Sequence, residues 1–306
     1  MRVVVLGGAG AMGGVFGSRL ARAGHDVTLV DVWAEAVDAI NAGGLRLQES
    51  SGAEETVRVR AVTRAVDAGP ADLIVVFVKC YDTETAVRAI APLMDDHTLV
   101  LSLQNGWGNG SRIGAIVGED RVLAGVTYHS ATVLGPGCVQ HTGRGPTLIG
   151  ELNGTASERA VHLAANLTTA GLEASATSEV VKEIWSKLAL NATVLPVAAL
   201  LGFRAGRLIE HEGTLDLMRV LLRETVSVAN KQGTPLDYDE RWQAITSLLQ
   251  RAAAAKPSML QDVERRRRTE VEVINGAVVA AGQRMRVPTP NNQAMVWLLQ
   301  SLQETF

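Results

Sequence analysis

Short apolar runs alternate with amphipathic stretches through the first half of the chain, and in the second half these strand signals give way to helical periods. Val3–Leu6, Val27–Val30, Leu73–Val78, Thr98–Leu101 and Val122–Thr127 are aliphatic segments of strand length. Between them, residues 11–23, 34–42, 83–93 and 111–117 repeat apolar positions at helical spacing. This alternation predicts a mostly parallel sheet with helices on both faces. From 130 to 150 the pattern changes, because Gly135-Pro136-Gly137 and Gly143-Arg144-Gly145-Pro146 punctuate short strands. That predicts a hairpin at the sheet edge. After about Glu173 strand signals vanish, and 178–200, 213–230, 239–254, 260–281 and 291–303 all carry a helical period. The shift predicts an α/β domain over 1–172 and an all-α domain over 173–306.

The turn after the first apolar run is Gly8-Ala9-Gly10-Ala11-Met12-Gly13. In a G-x-G-x-x-G between strand and helix, the first glycine makes the tight turn and the second admits a pyrophosphate close to the backbone. The third lets the helix pack on the strand, and the helix N-terminus faces the phosphates. Phe16, Leu20 and Ala23 continue the helical face, and Gly24 closes it. Gly8, Gly10, Ala11, Met12 and Gly13 are therefore candidate cofactor contacts, and the first domain reads as a Rossmann-type dinucleotide-binding domain. Asp31 ends the second strand, 18 residues after Gly13. A carboxylate there accepts from ribose hydroxyls and repels a 2′-phosphate. No basic residue follows among Val32, Trp33, Ala34 and Glu35. NAD is the expected cofactor, ahead of NADP. A competing role for Asp31 is to cap the helix that begins near Trp33.

Composition narrows the class further. The chain has 306 residues, a formal charge of −3 and 47% hydrophobic residues. That charge leaves no electrostatic footprint for nucleic acid or an anionic membrane. Cys80 and Cys138 are the two cysteines and lie in no metal-ligand spacing. They suit a reducing compartment. Met1-Arg2 leads straight into the first strand, and apolar stretches such as Ile74–Val78 are too short to span a bilayer. The cytoplasm is the expected location, with no metal, membrane or nucleic-acid partner. The apolar faces of the helical half would allow a homodimer.

Two features of the helical half stand out. Glu264-Arg265-Arg266-Arg267-Arg268 would point in several directions on a continuous helix. It reads as a solvated face pairing with Glu264, Glu270 and Glu272. Lys187 and Asn191 are four residues apart among Ile184, Leu188, Leu190, Ala192 and Val194. They share one helix face, and an ammonium and an amide in apolar surroundings need partners. A 2-oxo acid suits them, because the ammonium can stabilise and protonate the alkoxide that forms as a hydride arrives.

The chain resembles the ketopantoate reductase family (2-dehydropantoate 2-reductases) along nearly its whole length. The likeness runs through GAGAMG at 8–13, VFVKCYDT at 76–83, LQNGWGN at 103–109 and GVTYHSA at 125–131. It continues in HTGRGPTLIGE at 141–151, WSKLALNA at 185–192 and PSMLQDVERRRRTEVEVINGAVV at 257–279. The resemblance implies that Lys187 is the general acid and that the helical domain serves substrate binding and dimerisation. It implies that Asn105 sits where nicotinamide and substrate meet, and that Asn191 and Ser258 bind substrate. Glu270, Lys79 and Ala131 match cofactor-side positions. Ser258-Met259-Leu260-Gln261 also has the pattern of a capping box. On a straight helix, Ser258 and Glu270 would stand about 18 Å apart, too far to share one small acid.

Two departures from the family pattern bear on the substrate. Ketopantoate-specific members place a second asparagine four residues after Asn191, where this chain has Leu195. Asp31 departs too, because ketopantoate reductases typically have a basic residue nearby for NADPH. Both resemble the NAD-dependent D-2-hydroxyacid dehydrogenases of the same superfamily, which include D-mandelate dehydrogenases. The expectation is an NAD-dependent reductase of branched or aromatic 2-oxo acids, with Leu195 lining the substrate site. Ketopantoate reduction is the alternative, and a non-catalytic NAD-binding sensor is a remote one.

Overall fold

The central apolar run is buried on both faces, which explains why it does not alternate with polar residues. The computed structural model describes residues 1–306, and β1 (Arg2–Leu6) lies in the interior of an eight-stranded sheet. Val3 and Val5 enter one core with Phe16, Leu20 and Leu29. Val4 and Leu6 enter the other with Ile74, Val76, Val87 and Ile90. After α1 (Ala11–Arg22) come β2 (Asp26–Val30), α2 (Ala34–Gly43), β3 (Leu45–Glu49), β4 (Glu54–Val57) and β5 (Arg60–Val62). Then follow β6 (Leu73–Val76), α3 (Thr83–Ile90), β7 (Leu99–Ser102), α4 (Asn109–Val117) and β8 (Val122–Thr127). The first unit closes with β9 (Ser130–Gly135), β10 (Cys138–Gly143), β11 (Thr147–Gly150), α5 (Glu158–Thr169) and β12 (Ala174–Ala176).

The main sheet runs β12-β11-β8-β7-β6-β1-β2-β5. Its strands from β5 to β8 are parallel, and β11 is antiparallel to β8. The mostly parallel α/β sheet predicted from the runs is therefore present. The expected hairpin, β9–β10, is not on this sheet's edge. It joins β3 and β4 in a separate sheet of order β4-β3-β10-β9. That sheet lies against α1, where Gly14 makes room: a Cβ there would come within 3.0 Å of Val139 Cγ1. β3 and β4 lack a long apolar run, and β12 is only three residues, so none of the three stood out in the sequence.

The second unit comprises Asn105–Gly108 and Val181–Phe306. It contains most of α6 (Val180–Leu201), then α7 (Glu212–Lys231), α8 (Tyr238–Arg251), α9 (Ser258–Glu264), α10 (Asn275–Met285) and α11 (Pro290–Gln303). α6 is long and apolar enough to cross a membrane by length and composition, contrary to the expectation from the shorter runs. Its most apolar window is 72% buried within the protein, and it is the core helix of this unit.

The helix expected over 260–281 is broken. α9 stops at Glu264, Arg265 is its C-cap, and Arg266 takes the left-handed conformation at φ 51°. The Arg267 amide bonds the Asp262 carbonyl at 2.8 Å and the Arg266 amide bonds that of Val263 at 3.0 Å. These two bonds make a Schellman stop. The four arginines are exposed, and Arg268 pairs with Glu272 at 2.7 Å. Glu264 instead pairs with Lys256, and Glu270 is buried. The straight-helix separation of Ser258 from Glu270 therefore does not apply.

Candidate active site

In the first unit, the turn after β1 is packed as a dinucleotide cradle requires. A Cβ at Gly8 would meet Leu29 Cβ at 2.6 Å, and one at Gly13 would lie 2.1 Å from the Gly7 carbonyl oxygen. A Cβ at Gly10 would lie 3.1 Å from that same oxygen. Gly10 is the N-cap of α1, no side chain caps it, and the first turn has no acidic residue. The first amides of α1, from Ala11 to Gly13, therefore keep donors for an anion. Asp31 is half-buried; its Oδ2 accepts from the Ala9 amide at 3.0 Å and its Oδ1 from the Trp33 amide at 3.1 Å. The carboxylate thus ties the glycine turn to the end of β2 and also supports the start of α2. These features fit a nicotinamide dinucleotide.

Lys79 is half-buried and caps a short 3-10 turn after β6. Gln104, which carries no sequence motif of its own, fixes the neighbouring chain: its Nε2 donates to the Val78 carbonyl and the Thr83 hydroxyl, both at 2.7 Å. Ala131 is half-buried on β9, paired with His141 on β10. Beside it, His129 Nδ1 and His141 Nε2 are 2.9 Å apart in a buried pair. Burial, reinforced by His141, holds the His129 imidazole down at about 4. Burial likewise lowers His141, against the raising effect of Glu49.

In the second unit, Lys187, Asn191 and Leu195 recur every four residues along α6 and form one stripe. Asn191 and Leu195 are buried and Lys187 is half-buried. Burial pushes the Lys187 ammonium down to about 8, and Glu270 opposes that fall. Asn105 enters the same unit through its loop. Gly106 has φ +89° and approaches Val273 so closely that a Cβ would lie 2.4 Å from its carbonyl oxygen. The Trp107 amide donates to that oxygen at 2.9 Å, and the Trp107 ring lies 5.7 Å from that of Trp185. The loop bearing Asn105 is thus clamped to the turn that carries Glu270. The Asn-Gly pair was the available sequence signal, but Val273 as its partner was not.

Ser258 is placed differently from its sequence pattern. It is exposed in the first turn of α9, Pro257 is the N-cap, and no side-chain cap forms. Gln261 Nε2 turns instead to the Lys256 carbonyl at 2.9 Å, so the capping box is absent. Proline at the cap holds the chain in position without a hydroxyl bond. The structure groups Lys187 with Glu270 and leaves Ser258 on the surface of α9.

A mostly parallel sheet whose glycine turn is shaped for a dinucleotide, followed by an all-helical unit, is the architecture of an NAD(P)-dependent oxidoreductase. The family comparisons agree. Residues 4–154 match the family model "Ketopantoate reductase PanE/ApbA", and 179–303 match its C-terminal counterpart. The 2-dehydropantoate 2-reductase of Mesorhizobium japonicum is 33% identical, over 99% of this chain and 98% of its own. That of Halobacterium salinarum is 34% identical over 95% of each. Among solved structures, D-mandelate dehydrogenase with NADH and anilino(oxo)acetate superposes with a TM-score of 0.94. It is 28% identical, covering 100% of this chain and 99% of that one. A ketopantoate reductase of Ralstonia eutropha gives 0.91 at 33% identity, with the same coverage. The chain belongs to the ketopantoate reductase family.

Proposed function

We propose that this protein reduces the ketone of a 2-oxo acid to a 2-hydroxy acid, with Lys187 as the proton donor. The observation that carries this is the Lys187–Glu270 pair: an ammonium held in apolar surroundings yet kept protonatable near neutral pH. A nicotinamide dinucleotide, when bound, would supply the hydride. As the new C–H bond forms at C2, the carbonyl electron pair moves to oxygen, and Lys187 Nζ gives its proton to that oxygen. The neutral amine then regains a proton from solvent. Asn191, one turn along α6, can donate to the substrate carboxylate or ketone, and Asn105 can orient the acid from its clamped loop. Asp31 and the Gly8–Gly13 turn would hold the dinucleotide.

The named relatives favour 2-dehydropantoate as the substrate, and this is the first reading. A second reading is carried by Leu195 and Asp31. Leu195 is a buried apolar side chain on the stripe that bears Lys187 and Asn191, where an amide would recognise the pantoate hydroxyl. Asp31 presents its carboxylate at the end of β2, which disfavours the 2′-phosphate of NADPH. Together they support NADH and a branched or aromatic 2-oxo acid, the pairing suggested by the D-mandelate dehydrogenase likeness. The deciding experiment follows NADH and NADPH oxidation with 2-dehydropantoate, 2-oxoisovalerate and benzoylformate. Preference for 2-dehydropantoate supports the first reading, preference for the other acids the second, and no turnover with any acid overturns both.

A further inference from the structure

Pro196 lies inside α6. A proline within a helix has no amide hydrogen to return to the carbonyl four residues back, and its ring crowds that carbonyl. Here the carbonyl is that of Ala192, and its oxygen accepts from Asn275 Nδ2 at 2.9 Å in a fully buried pair. The same nitrogen donates to Asn292 Oδ1 at 2.9 Å. Asn292 Nδ2 in turn donates to Glu224 Oε2 at 2.8 Å. Glu224 also receives the Asn291 and Asn292 amides, each at 2.9 Å, and so caps α11 from α7. These bonds fix the orientation of the Asn275 amide: both of its hydrogens face acceptors, while its Oδ1 is buried without a protein partner. The chain of bonds runs from α7 through α11 and α10 to α6.

Asn275 begins α10, and the residues before it form the turn that carries Glu270. The Val273 and Ile274 amides bond the Glu270 carbonyl, and the Gly276 amide bonds that of Val271 at 2.9 Å. At one end of this turn the Glu270 charge acts on Lys187, and the other end is tied to α6 at Ala192. Lys187 and Ala192 are five residues apart on α6, about 7.5 Å along its axis. Glu270 and Asn275 are also five residues apart, so the turn is tied to the helix at Ala192 and brings the Glu270 charge within range of Lys187.

We propose that Asn275 is a positioning residue. By occupying the carbonyl that Pro196 frees, it fastens the Glu270 turn to α6 and sets the separation of Glu270 from Lys187. This rests on the reading of Lys187 as the proton donor and adds what controls it. A merely structural amide would lower stability when removed and leave the Lys187 titration where it was.

The test titrates Lys187 in the protein without substrate, by pH-dependent reductive methylation read by mass spectrometry. Wild type, Asn275→Ala, Pro196→Ala and the double variant are compared. In Asn275→Ala the Lys187 midpoint moves down by about one pH unit, because Glu270 no longer holds the charge in place. Pro196→Ala returns an amide hydrogen to the Ala192 carbonyl. The drop in urea midpoint caused by Asn275→Ala is then no more than about half as large in that background. An unmoved Lys187 midpoint, or additive losses of stability, overturns the proposal. If Asn275→Ala alone does not fold, the double variant decides: folded protein supports the coupling, and continued failure overturns it. None of these readings needs turnover, so a negative result leaves the reductase reading to the substrate assays.

Discussion

Asp31 Oδ2 accepts a hydrogen bond from the Ala9 amide at 3.0 Å, joining the end of β2 to the middle of the glycine turn. The bond gives this carboxylate a structural role beside the proposed one in cofactor selection. It holds the turn in shape, and under the proposed cofactor assignment its remaining lone pairs would accept from a ribose. Asp31→Asn keeps one acceptor and removes the charge. The expected outcome is a KM for NADPH lower by about tenfold, equivalent to about 1.4 kcal/mol, with a smaller change for NADH. Steady-state kinetics with both cofactors check this, and an unchanged ratio would remove Asp31 from cofactor selection.

Lys187→Ala should lower kcat for 2-oxo acid reduction by about 10²- to 10⁴-fold, the range for loss of a general acid. Dinucleotide binding, followed by fluorescence of bound NADH, should change little. Because the ammonium titrates at about 8, reduction should run at its plateau below that pH and fall above it. Oxidation of the 2-hydroxy acid, which needs the neutral amine, should rise through the same region. A pH profile without a limb near 8 would argue against Lys187.

The same depressed ammonium has a stability consequence. Lys187 binds its proton less tightly in the folded protein than in the unfolded chain, whose ordinary value is 10.5. The unfolded state therefore holds more protons between about 8 and 10.5, and this group's contribution to stability rises with pH there. His129 behaves in the same sense lower on the scale, with its ordinary 6.5 depressed to about 4. Its contribution is present above 6.5 and is lost as pH falls toward 4. Urea midpoints should therefore decline across that acid window. A His129→Asn, His141→Asn variant should show a flatter decline, and an equal slope would sink this assignment.

Leu195→Asn places an amide on the stripe shared with Lys187 and Asn191. If Leu195 lines the substrate site, the ratio of kcat/KM for 2-dehydropantoate to that for 2-oxoisovalerate should rise by about tenfold or more. An unmoved ratio would mean that Leu195 packs only against its own unit.

Arg266 holds a left-handed backbone at φ 51° on the surface. That conformation strains a residue with a Cβ by about 1–2 kcal/mol, and glycine adopts it freely. Allowing for the greater freedom of glycine in the unfolded chain, Arg266→Gly should stabilise the protein by about 0.5–1 kcal/mol. Thermal or urea unfolding measures this, and a loss of stability would show that the Arg266 side chain contributes more than its backbone strain.

Much of the first unit was legible because its determinants are local. Val3–Leu6 reads as a buried parallel strand from four consecutive apolar residues, and the Gly8–Gly13 turn announces itself by spacing. Lys187, Asn191 and Leu195 fall on one face by helical period alone. β3, β4 and β12 have little apolar pattern to display because they are short and in part exposed. The arginine run misled for a related reason. Arginine is a good helix former, so local preference continued the helix, whereas the Schellman stop at Arg266 reverses the chain.

What the sequence by itself determined is the set of elements whose periodicity is imposed by one covered face, together with the glycine turn and Asp31 at its proper interval. Only the tertiary structure decided that Glu270 faces Lys187 while its neighbour Glu272 pairs with Arg268. It also decided that Val273 receives the Trp107 amide, and that Asn275 fills the carbonyl opened by Pro196. Apart from the local Arg268–Glu272 pair, those pairings join residues 83 and 166 positions apart. Hydrogen bonds and charges act over a few ångströms of space, so no local pattern of the chain can announce which distant partner will arrive.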